Sequence, residues 1–342
     1  MVRQTSRTGI LTVGLFLVLL NGGPVFALDS VICKWHGDAS GAYSMTFDDG
    51  AVGQGEYAVP LLDAHELKAT FFVIGSTIHA WYIGSVRIHM REIVQMAREG
   101  HEIGSHTYNH RDLRTLTDSE IRQEIEQCQE YLGRYGLRPT SMSYPYSGCD
   151  ERVEAIVADY FEFARCGYPM VTNSSEWQAI NPLHLYWSDS ADHYSCLDGA
   201  IEQGQWAIGV FHEIGYNGPT VSEFSQFVDT LAYLRDSNAL WVDTMTNVGR
   251  YIRERAFAHL TTKTREDGHV VEVTLSVADE CPSPLVPLTV KTNILMYMVS
   301  ITQAGNPVDF TISEAEGQRF ALYDMLPNTG PVRISLTGKI IE

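Results

Sequence analysis

Short apolar segments alternate with amphipathic segments over most of this chain, from about Gly41 to Ala256. This alternation is typical of parallel strands joined by crossover helices, because each crossover needs a helix that covers the sheet. Seven strand–helix units favour a (β/α)7 barrel of the α/β class over an open sheet. The predicted strands are Tyr43–Phe47, Lys68–Ile74, Glu102–His106, Thr140–Tyr144, Phe161–Cys166, Trp206–His212 and Ala239–Val242.

The pattern changes after Arg255, where apolar and polar residues begin to alternate one by one. The stretch VVEVTLSV, Val270–Val277, has the period of a half-buried strand, and similar runs follow it with turn residues between them. These runs predict a small C-terminal β-sandwich-like domain. The predicted division is a leader at residues 1–27, a first domain at 28–258 and a second, β-rich domain at 262–342.

The leader has the residue order of a secretory signal peptide. Arg3 and Arg7 precede an apolar run, Ile10–Leu20, and the sequence VFA follows at 25–27. The apolar run is shorter than the roughly 20 residues that span a bilayer. We therefore expect cleavage after Ala27 and a secreted or periplasmic protein with no membrane insertion, and an uncleaved anchor is the alternative.

Acidic residues outnumber basic ones, with 42 Asp and Glu against 24 Lys and Arg and a net charge of −18. Loss of the leader removes two arginines and takes the net charge to −20. Such a surface repels nucleic acid and anionic membranes, so neither is an expected partner. The charge does not identify a neutral ligand.

Six cysteines follow the proposed cleavage site, and an even number in an exported chain allows three disulfides. Their pairing stays open, because several connectivities fit the same spacing. No two of them form a CxxC pair, so a thiolate zinc site is not expected. The six are Cys33, Cys128, Cys149, Cys166, Cys196 and Cys281.

Polar side chains stand at the carboxyl ends of several predicted strands, where parallel α/β barrels place their active sites. Asp48 and Asp49 follow the first strand in the sequence TFDDG, and His106 ends the third. The stretch SYPYSG at 143–148 follows the fourth strand, and His212 ends the sixth. On this placement His212 fits a structural role and a general-acid role equally well.

His106 and His110, in the sequence HTYNH, have the i, i+4 spacing that puts two imidazoles on one face of a helix. Such a pair can bind one metal ion with a third ligand from elsewhere, although surface or capping histidines are commoner at this spacing. Two consecutive acids at the same end of the barrel allow one to bind the ion and the other to act as a base. A simple strand-end turn completed by Gly50 also explains the sequence DDG.

Four motifs in order, TFDDG, SHTYNH, YPYSG and VFH, resemble those of the NodB-homology polysaccharide deacetylases, carbohydrate esterase family 4. The stretch KATFFVIG, Lys68–Gly75, also resembles the family, and the likeness spans about Tyr43 to Arg255. The resemblance implies a deformed barrel, a divalent metal ion that is usually zinc, and hydrolysis of an acetyl group on a sugar.

The resemblance also implies residue roles. Asp48 would act as the general base, the backbone amide of Tyr146 would help to hold the oxyanion, and His212 would protonate the leaving amine. Three further side chains would bind the metal ion, namely Asp49, His106 and His110.

The third motif departs from the family pattern, which often reads Arg-x-Pro-Tyr-Gly with the arginine orienting the base. Ser143 stands at the arginine position, so the partner of Asp48 is open. The fourth motif, an Asp and Trp grouping behind the acid histidine, is loosely matched by YWSDSADH. Three residues of that stretch are candidates for the supporting role, namely Trp187, Asp189 and Asp192.

The predicted function is removal of N-acetyl groups from an N-acetylglucosamine-containing polysaccharide, chitin-like or peptidoglycan-like, with the acetylated glycan as partner. O-deacetylation of acetylated xylan at the same site is one alternative. A glycan-binding protein with a degenerate active site is the other, and the missing arginine motivates it.

The second domain carries none of the six tryptophans. Because sugar-binding faces generally use aromatic platforms, we expect a structural or partner-binding module whose partner is unidentified. Tyr297 and Tyr323 are its aromatic candidates, and core packing is the expected role of both.

Overall fold

A computed structural model describes residues 29–82, 84–166, 170–172, 183–186, 190–216, 218–265, 270–281, 284–294, 298–315 and 317–337. The predicted leader, Trp187, Asp189 and Tyr297 lie outside these residues. Within them, no helix combines the length and the apolar character needed to cross a bilayer.

The described residues from 29 to 257 contain twelve strands and seven α-helices. The strands are β1 (Ser30–Ile32), β2 (Gly41–Phe47), β3 (Thr70–Val73), β4 (Trp81–Tyr82), β5 (Ser85–Val86), β6 (Glu102–Ser105), β7 (Ser141–Ser143), β8 (Phe163–Arg165), β9 (Met170–Thr172), β10 (Leu183–Tyr186), β11 (Trp206–Phe211) and β12 (Leu240–Val242). The helices are α1 (Val59–Ala64), α2 (Met90–Arg98), α3 (Asp118–Gly133), α4 (Glu151–Val157), α5 (Ser190–Gln203), α6 (Val221–Asp236) and α7 (Met245–Phe257).

Nine of these strands form one sheet in the order β10-β11-β2-β3-β6-β7-β8-β9, with β12 also paired to β2. The neighbours are parallel except for β8 and β9, which run antiparallel. The sheet is curled like half of a barrel, and the seven predicted strands lie in it with ends within two residues of the prediction. The predicted fold class is confirmed, and the two strands it missed, β9 and β10, stand at the two ends of the strand order.

Strand β2 lies inside the sheet, and all seven of its residues are buried. A parallel strand covered on both faces is a continuous apolar run, which explains why this segment lacks alternation. Phe47 stacks on Phe71 of β3 and on Phe211 of β11, with ring centroids 4.7 and 5.3 Å apart. This packing holds the carboxyl ends of three strands together immediately before Asp48.

Helix α3 supports the loop that follows β6. It begins at a capping box in which Thr117 and Glu120 each accept a hydrogen bond from the main-chain amide of the other. The buried Glu124 accepts hydrogen bonds from the main-chain amide of Asn109 at 2.7 Å and from its side-chain amide at 3.0 Å. The loop between His106 and His110 is therefore fixed to a capped helix.

The predicted second domain consists of antiparallel strands among the residues that the structure describes. They are β13 (Ala258–Arg265), β14 (Val270–Val277), β15 (Leu288–Ile294), β16 (Met298–Gln303), β17 (Asn306–Pro307), β18 (Phe310–Ala315), β19 (Gln318–Met325) and β20 (Val332–Thr337). One sheet has the order β1-β15-β19-β18 and the other β13-β14-β20-β16-β17. Alternate residues of β14, beginning with Val271, are buried in the core that both sheets share, as its period predicts.

An N-terminal strand belongs to a C-terminal sheet. Strand β1, which lies before the first barrel strand, pairs with β15 and so completes a sheet of the second domain. Helix α7 ends at Phe257, and β13 begins at the next residue, Ala258.

Tyr323 is buried in the second core with its hydroxyl 2.8 Å from that of Thr292, which is a packing role.

One disulfide is present, between Cys149 and Cys166. The other four cysteines are buried and take no part in this bond, namely Cys33, Cys128, Cys196 and Cys281. Of the three disulfides that an even number of cysteines allows, the structure contains one. It joins the loop after β7 to the end of β8.

Candidate metal and active site

A cavity of about 370 Å³ opens at the carboxyl ends of the sheet strands. It contains every residue for which the sequence predicts a role in metal binding or catalysis. The lining residues are Asp48, Asp49, His106, His110, Tyr144, Tyr146, Ser147 and His212.

Three potential metal ligands converge in this cavity. The Asp49 Oδ1 atom lies 3.5 Å from His106 Nε2 and 3.6 Å from His110 Nε2, and the two Nε2 atoms are 3.1 Å apart. Asp49 Oδ1 is buried, and within the described part of the chain no hydrogen-bond donor satisfies it. A buried carboxylate oxygen that faces two imidazole nitrogens fits one divalent ion with three protein ligands and open positions for water and substrate.

The protonation of both imidazoles also suits metal binding. His106 Nδ1 lies 2.7 Å from the main-chain oxygen of Ser143, which can only accept, so Nδ1 donates and Nε2 is left as the ligand atom. Burial and the neighbouring His106 lower the pKa of His110 to about 4. His110 is therefore neutral near pH 7, which is the form that binds a metal ion.

The prediction that His106 and His110 lie on one face of a helix is wrong, although their rings are in contact. The segment between them is a loop rather than a helix, with φ of +63° at Thr107 and +57° at His110. The main-chain amide of His110 donates to the Thr107 hydroxyl at 3.1 Å. The i, i+4 pair thus converges through a tight turn and not through helical periodicity.

Asp48 lies beside the three ligands but has other partners. Its Oδ1 atom accepts a hydrogen bond from Arg165 Nη2, and its Oδ2 atom accepts one from the Ser143 hydroxyl at 3.2 Å. Burial by itself raises the pKa of Asp48, but the Arg165 guanidinium together with His106 and His212 outweighs it, so the pKa lies well below its usual value. Asp48 is ionised near neutral pH and can accept a proton.

Arg165 was missed in the sequence, where the partner of Asp48 stayed open. It ends β8 and is almost fully buried, at 1% exposure. One signal was available, because an arginine at the end of a buried apolar strand needs an ionic partner. The partner itself could not be named without the strand order that puts β8 next to β7.

The hairpin of β4 and β5 supplies two further residues that the sequence analysis missed. The Tyr82 hydroxyl lies 3.2 Å from His110 Nδ1, so it is a partner for the ring nitrogen that faces away from the candidate ion. The buried Arg87 places Nη2 3.8 Å from Asp49 Oδ2 and donates to the Ser85 hydroxyl at 2.6 Å. Each partner restricts the orientation of one predicted ligand.

Gln54 joins two of the motifs. Its side-chain amide donates to the main-chain oxygen of Asp48 at 2.6 Å and to that of His212 at 2.5 Å. The residue is fully buried in a π-helical turn, Gln54–Ala58, that leads into α1. It therefore fixes the separation of the segments that carry the predicted base and the predicted acid.

Tyr146 and His212 border the opening of the cavity. Tyr146 has φ of +56° within the loop after β7, and its ring centroid lies 4.7 Å from that of His110. His212 is exposed and follows β11. Among the fourth-motif candidates, Asp192 belongs to α5 but its side chain is not among those described, so the support behind His212 stays a prediction.

Comparison with known proteins gives one family match and several relatives. Residues 38–161 match the family model described as polysaccharide deacetylase. A chitin deacetylase from Arthroderma benhamiae is 35% identical over 125 residues, which are 35% of this chain and 32% of that protein. A probable peptidoglycan-N-acetylglucosamine deacetylase from the same organism is 34% identical over 121 residues, which are 35% of this chain and 26% of that protein.

A longer likeness connects the chain with a gellan lyase from a Bacillus species. The two are 26% identical over 345 residues, which are 90% of this chain and 13% of that protein. The chain thus spans about a third or less of the length of these three curated relatives. The family match ends before Arg165 and His212. The candidate site residues that it includes are Asp48, Asp49, His106, His110 and Tyr146.

Proposed function

Because the chain belongs to the NodB-homology polysaccharide deacetylases, we propose that it is a metal-dependent hydrolase that removes N-acetyl groups from an N-acetylglucosamine-containing polysaccharide. One observation carries the proposal. An ionised carboxylate, Asp48, lies beside a converging set of two imidazoles and one carboxylate but is held by other partners. This arrangement separates the base from the metal ligands.

A divalent ion, for which we propose zinc, would be held by Asp49, His106 and His110, and it would polarise the acetyl carbonyl and lower the pKa of water. Asp48 accepts the proton of the water that attacks the carbonyl carbon. The tetrahedral oxyanion receives a hydrogen bond from the main-chain amide of Tyr146. His212 then donates a proton to the sugar nitrogen as the carbon–nitrogen bond breaks, so that acetate and a free amine are formed.

Exposed aromatic rings near the cavity support a glycan as the substrate. Tyr146 is 63% exposed at the opening, and Trp81, 72% exposed, precedes the tyrosine that contacts His110. Tyr216 is 55% exposed in the loop after His212. Large rings with one open face provide the platforms on which pyranose rings stack. The likeness of 90% of the chain to part of a gellan lyase also favours a polysaccharide.

The same site would hydrolyse an O-acetyl ester of xylan, so that alternative stays with the proposal. The glycan-binding alternative is weaker, because its motive was the missing arginine and Asp48 has an arginine partner. We also propose that the protein is secreted through the leader at residues 1–27.

The proposal is tested by acetate release from chitin oligomers, peptidoglycan and acetylated xylan, with metal content measured on the same preparation. We expect one divalent ion per chain and release of acetate from the first two substrates. Asp48→Asn should abolish release while the ion is retained. A protein that binds the ion yet releases no acetate from any of the three substrates would contradict the proposal.

A further inference from the structure

The buried arginine that contacts Asp48 comes from a different strand than the family pattern implies. The resemblance places that arginine at the position of Ser143, at the end of β7. In this chain Arg165 ends the next strand of the sheet, β8, and the two residues are register partners across the parallel pair. A guanidinium at either position can therefore reach the same carboxylate from the same level of the sheet.

The contacts form a triangle of three side chains. Arg165 Nη2 donates to Asp48 Oδ1 and to the Ser143 hydroxyl, the latter at 2.8 Å. The Ser143 hydroxyl donates to Asp48 Oδ2 at 3.2 Å. One oxygen of the carboxylate is thus held directly and the other through the serine, and a longer side chain at 143 would occupy the space that the guanidinium uses.

The triangle also orients the carboxylate relative to the metal ligands. Asp48 Oδ2 lies 3.9 Å from His106 Nε2, so this oxygen faces the ligand atoms while Oδ1 is anchored on the arginine. In the described part of the chain, Arg165 is the only lysine or arginine within ion-pair distance of Asp48. No second fixed charge replaces it there.

Neighbouring groups restrain both the side chain and the backbone of Arg165. Its guanidinium carbon lies 5.4 Å from the ring centroid of Phe72, and its main-chain oxygen accepts a hydrogen bond from the Tyr144 amide at 3.0 Å. The next residue, Cys166, is joined by the disulfide to Cys149 in the loop that carries Tyr146. A side chain so restricted costs little further entropy when it orients the base.

We propose that Arg165, acting with Ser143, is the residue that positions Asp48 for proton transfer, so that β8 supplies the guanidinium that the family pattern places on β7. The inference rests on the proposed function. Arg165 is a positioning residue, because it is buried and acts through Asp48.

The test compares full-length variants on a chitin oligomer, with kcat, KM, metal content and thermal unfolding measured for each. General acid–base catalysis contributes about 10²–10⁴-fold, so Arg165→Ala should lower kcat by roughly 10–100-fold with KM nearly unchanged and the ion retained. Guanidinium chloride at low millimolar concentration should partly restore kcat to this variant but not to Asp48→Asn. The double variant Ser143→Arg with Arg165→Ser should have a higher kcat than Arg165→Ser alone, because it places a guanidinium on β7.

A matched control is Arg253→Lys. Arg253 is a buried arginine whose guanidinium lies over Phe163 and pairs with Glu162. The kcat of this variant should equal that of the wild type. If the wild type is active and the folded Arg165→Ala variant keeps its kcat, the inference is overturned but the proposed function is not. The inference would also be overturned if Arg165→Ala lost the ion together with its kcat, and if kcat were restored neither by guanidinium nor in the double variant. A wild type inactive on all substrates would overturn the proposed function together with the inference.

Discussion

The Tyr82 hydroxyl lies 3.2 Å from His110 Nδ1, on the side of the ring opposite the candidate ion. His106 has the corresponding contact with the main-chain oxygen of Ser143. Both predicted imidazole ligands are therefore oriented by a group outside the ligand set, one by a side chain and one by the backbone. Only the first can be removed by substitution.

Tyr82→Phe should weaken metal binding without removing it. The substitution deletes one hydroxyl, and loss of a partner behind a metal-binding histidine typically costs about 10–100-fold in affinity. The measurement is competition for zinc against a chromophoric chelator. Tyr57→Phe is the matched control, since the Tyr57 hydroxyl contacts Tyr216 and not a predicted ligand. Equal affinities for both variants and the wild type would show that the hydroxyl has no such role.

Gln54→Leu should lower both stability and activity. The substitution keeps the approximate volume but leaves the main-chain oxygens of Asp48 and His212 without their buried donor. An unsatisfied buried acceptor costs about 1–3 kcal/mol, and the segments that carry the base and the acid would no longer be joined. Denaturant unfolding measures the first effect and kcat the second. Unchanged kcat in a destabilised variant would limit Gln54 to a structural role.

Loss of the Cys149–Cys166 disulfide should destabilise the protein and lower kcat. The bond closes a short segment, with a sequence separation of 17, and such bonds typically contribute about 2–4 kcal/mol. It also ties the Tyr146 loop to the strand end that carries Arg165. The double variant Cys149→Ser with Cys166→Ser should unfold at lower denaturant than the wild type.

Reductant provides the control for the disulfide. It should lower the unfolding midpoint and kcat of the wild type and leave the double variant unchanged, because Cys149–Cys166 is the disulfide found among the described residues. A reductant effect on the double variant as large as that on the wild type would contradict the assignment.

The sequence predicts the sheet and most of the cavity for a simple physical reason. Buried parallel strands are continuous apolar runs, and their carboxyl ends meet at one edge, so residues such as Asp48 and His212 are brought together by topology alone. Arg165 and Tyr82 follow no such rule. Their roles depend on which strand lies next to β7 and on how the hairpin of β4 and β5 brings Tyr82 to His110.

Two other differences have causes that the spacing of residues along the sequence does not show. The turn at Thr107 replaces the expected helix because the backbone enters the left-handed region, which side-chain spacing does not reveal. The pairing of β1 with β15 was not predicted because the two strands lie more than 250 residues apart in the chain, as in the pair Ser30 and Thr292. Pairing over such a distance is set by tertiary packing.

Glu254 should make the protein less stable as the pH rises from about 4.5 to about 7. The side chain is 1% exposed at the junction of α7 and the second domain, and burial raises its pKa to about 7. Its Oε2 atom accepts a hydrogen bond from the Val286 amide at 2.7 Å, and Arg253 and Cys281 are the titratable groups that face it. In this range the folded protein binds more protons than the unfolded chain, so the free energy of unfolding falls as the pH rises, by about 1–3 kcal/mol from this group.

Glu254→Gln removes the titration and keeps an oxygen acceptor for Val286. The variant should match the wild type near pH 4.5 and be more stable at pH 8, because the wild type must then keep a charged carboxylate buried. The measurement is the denaturant midpoint between pH 4.5 and pH 8, with the exposed Glu202→Gln as the charge-matched control. Parallel pH profiles for the wild type and Glu254→Gln would mean that Glu254 does not ionise across this range, and a gain at pH 8 shared by Glu202→Gln would assign the effect to net charge.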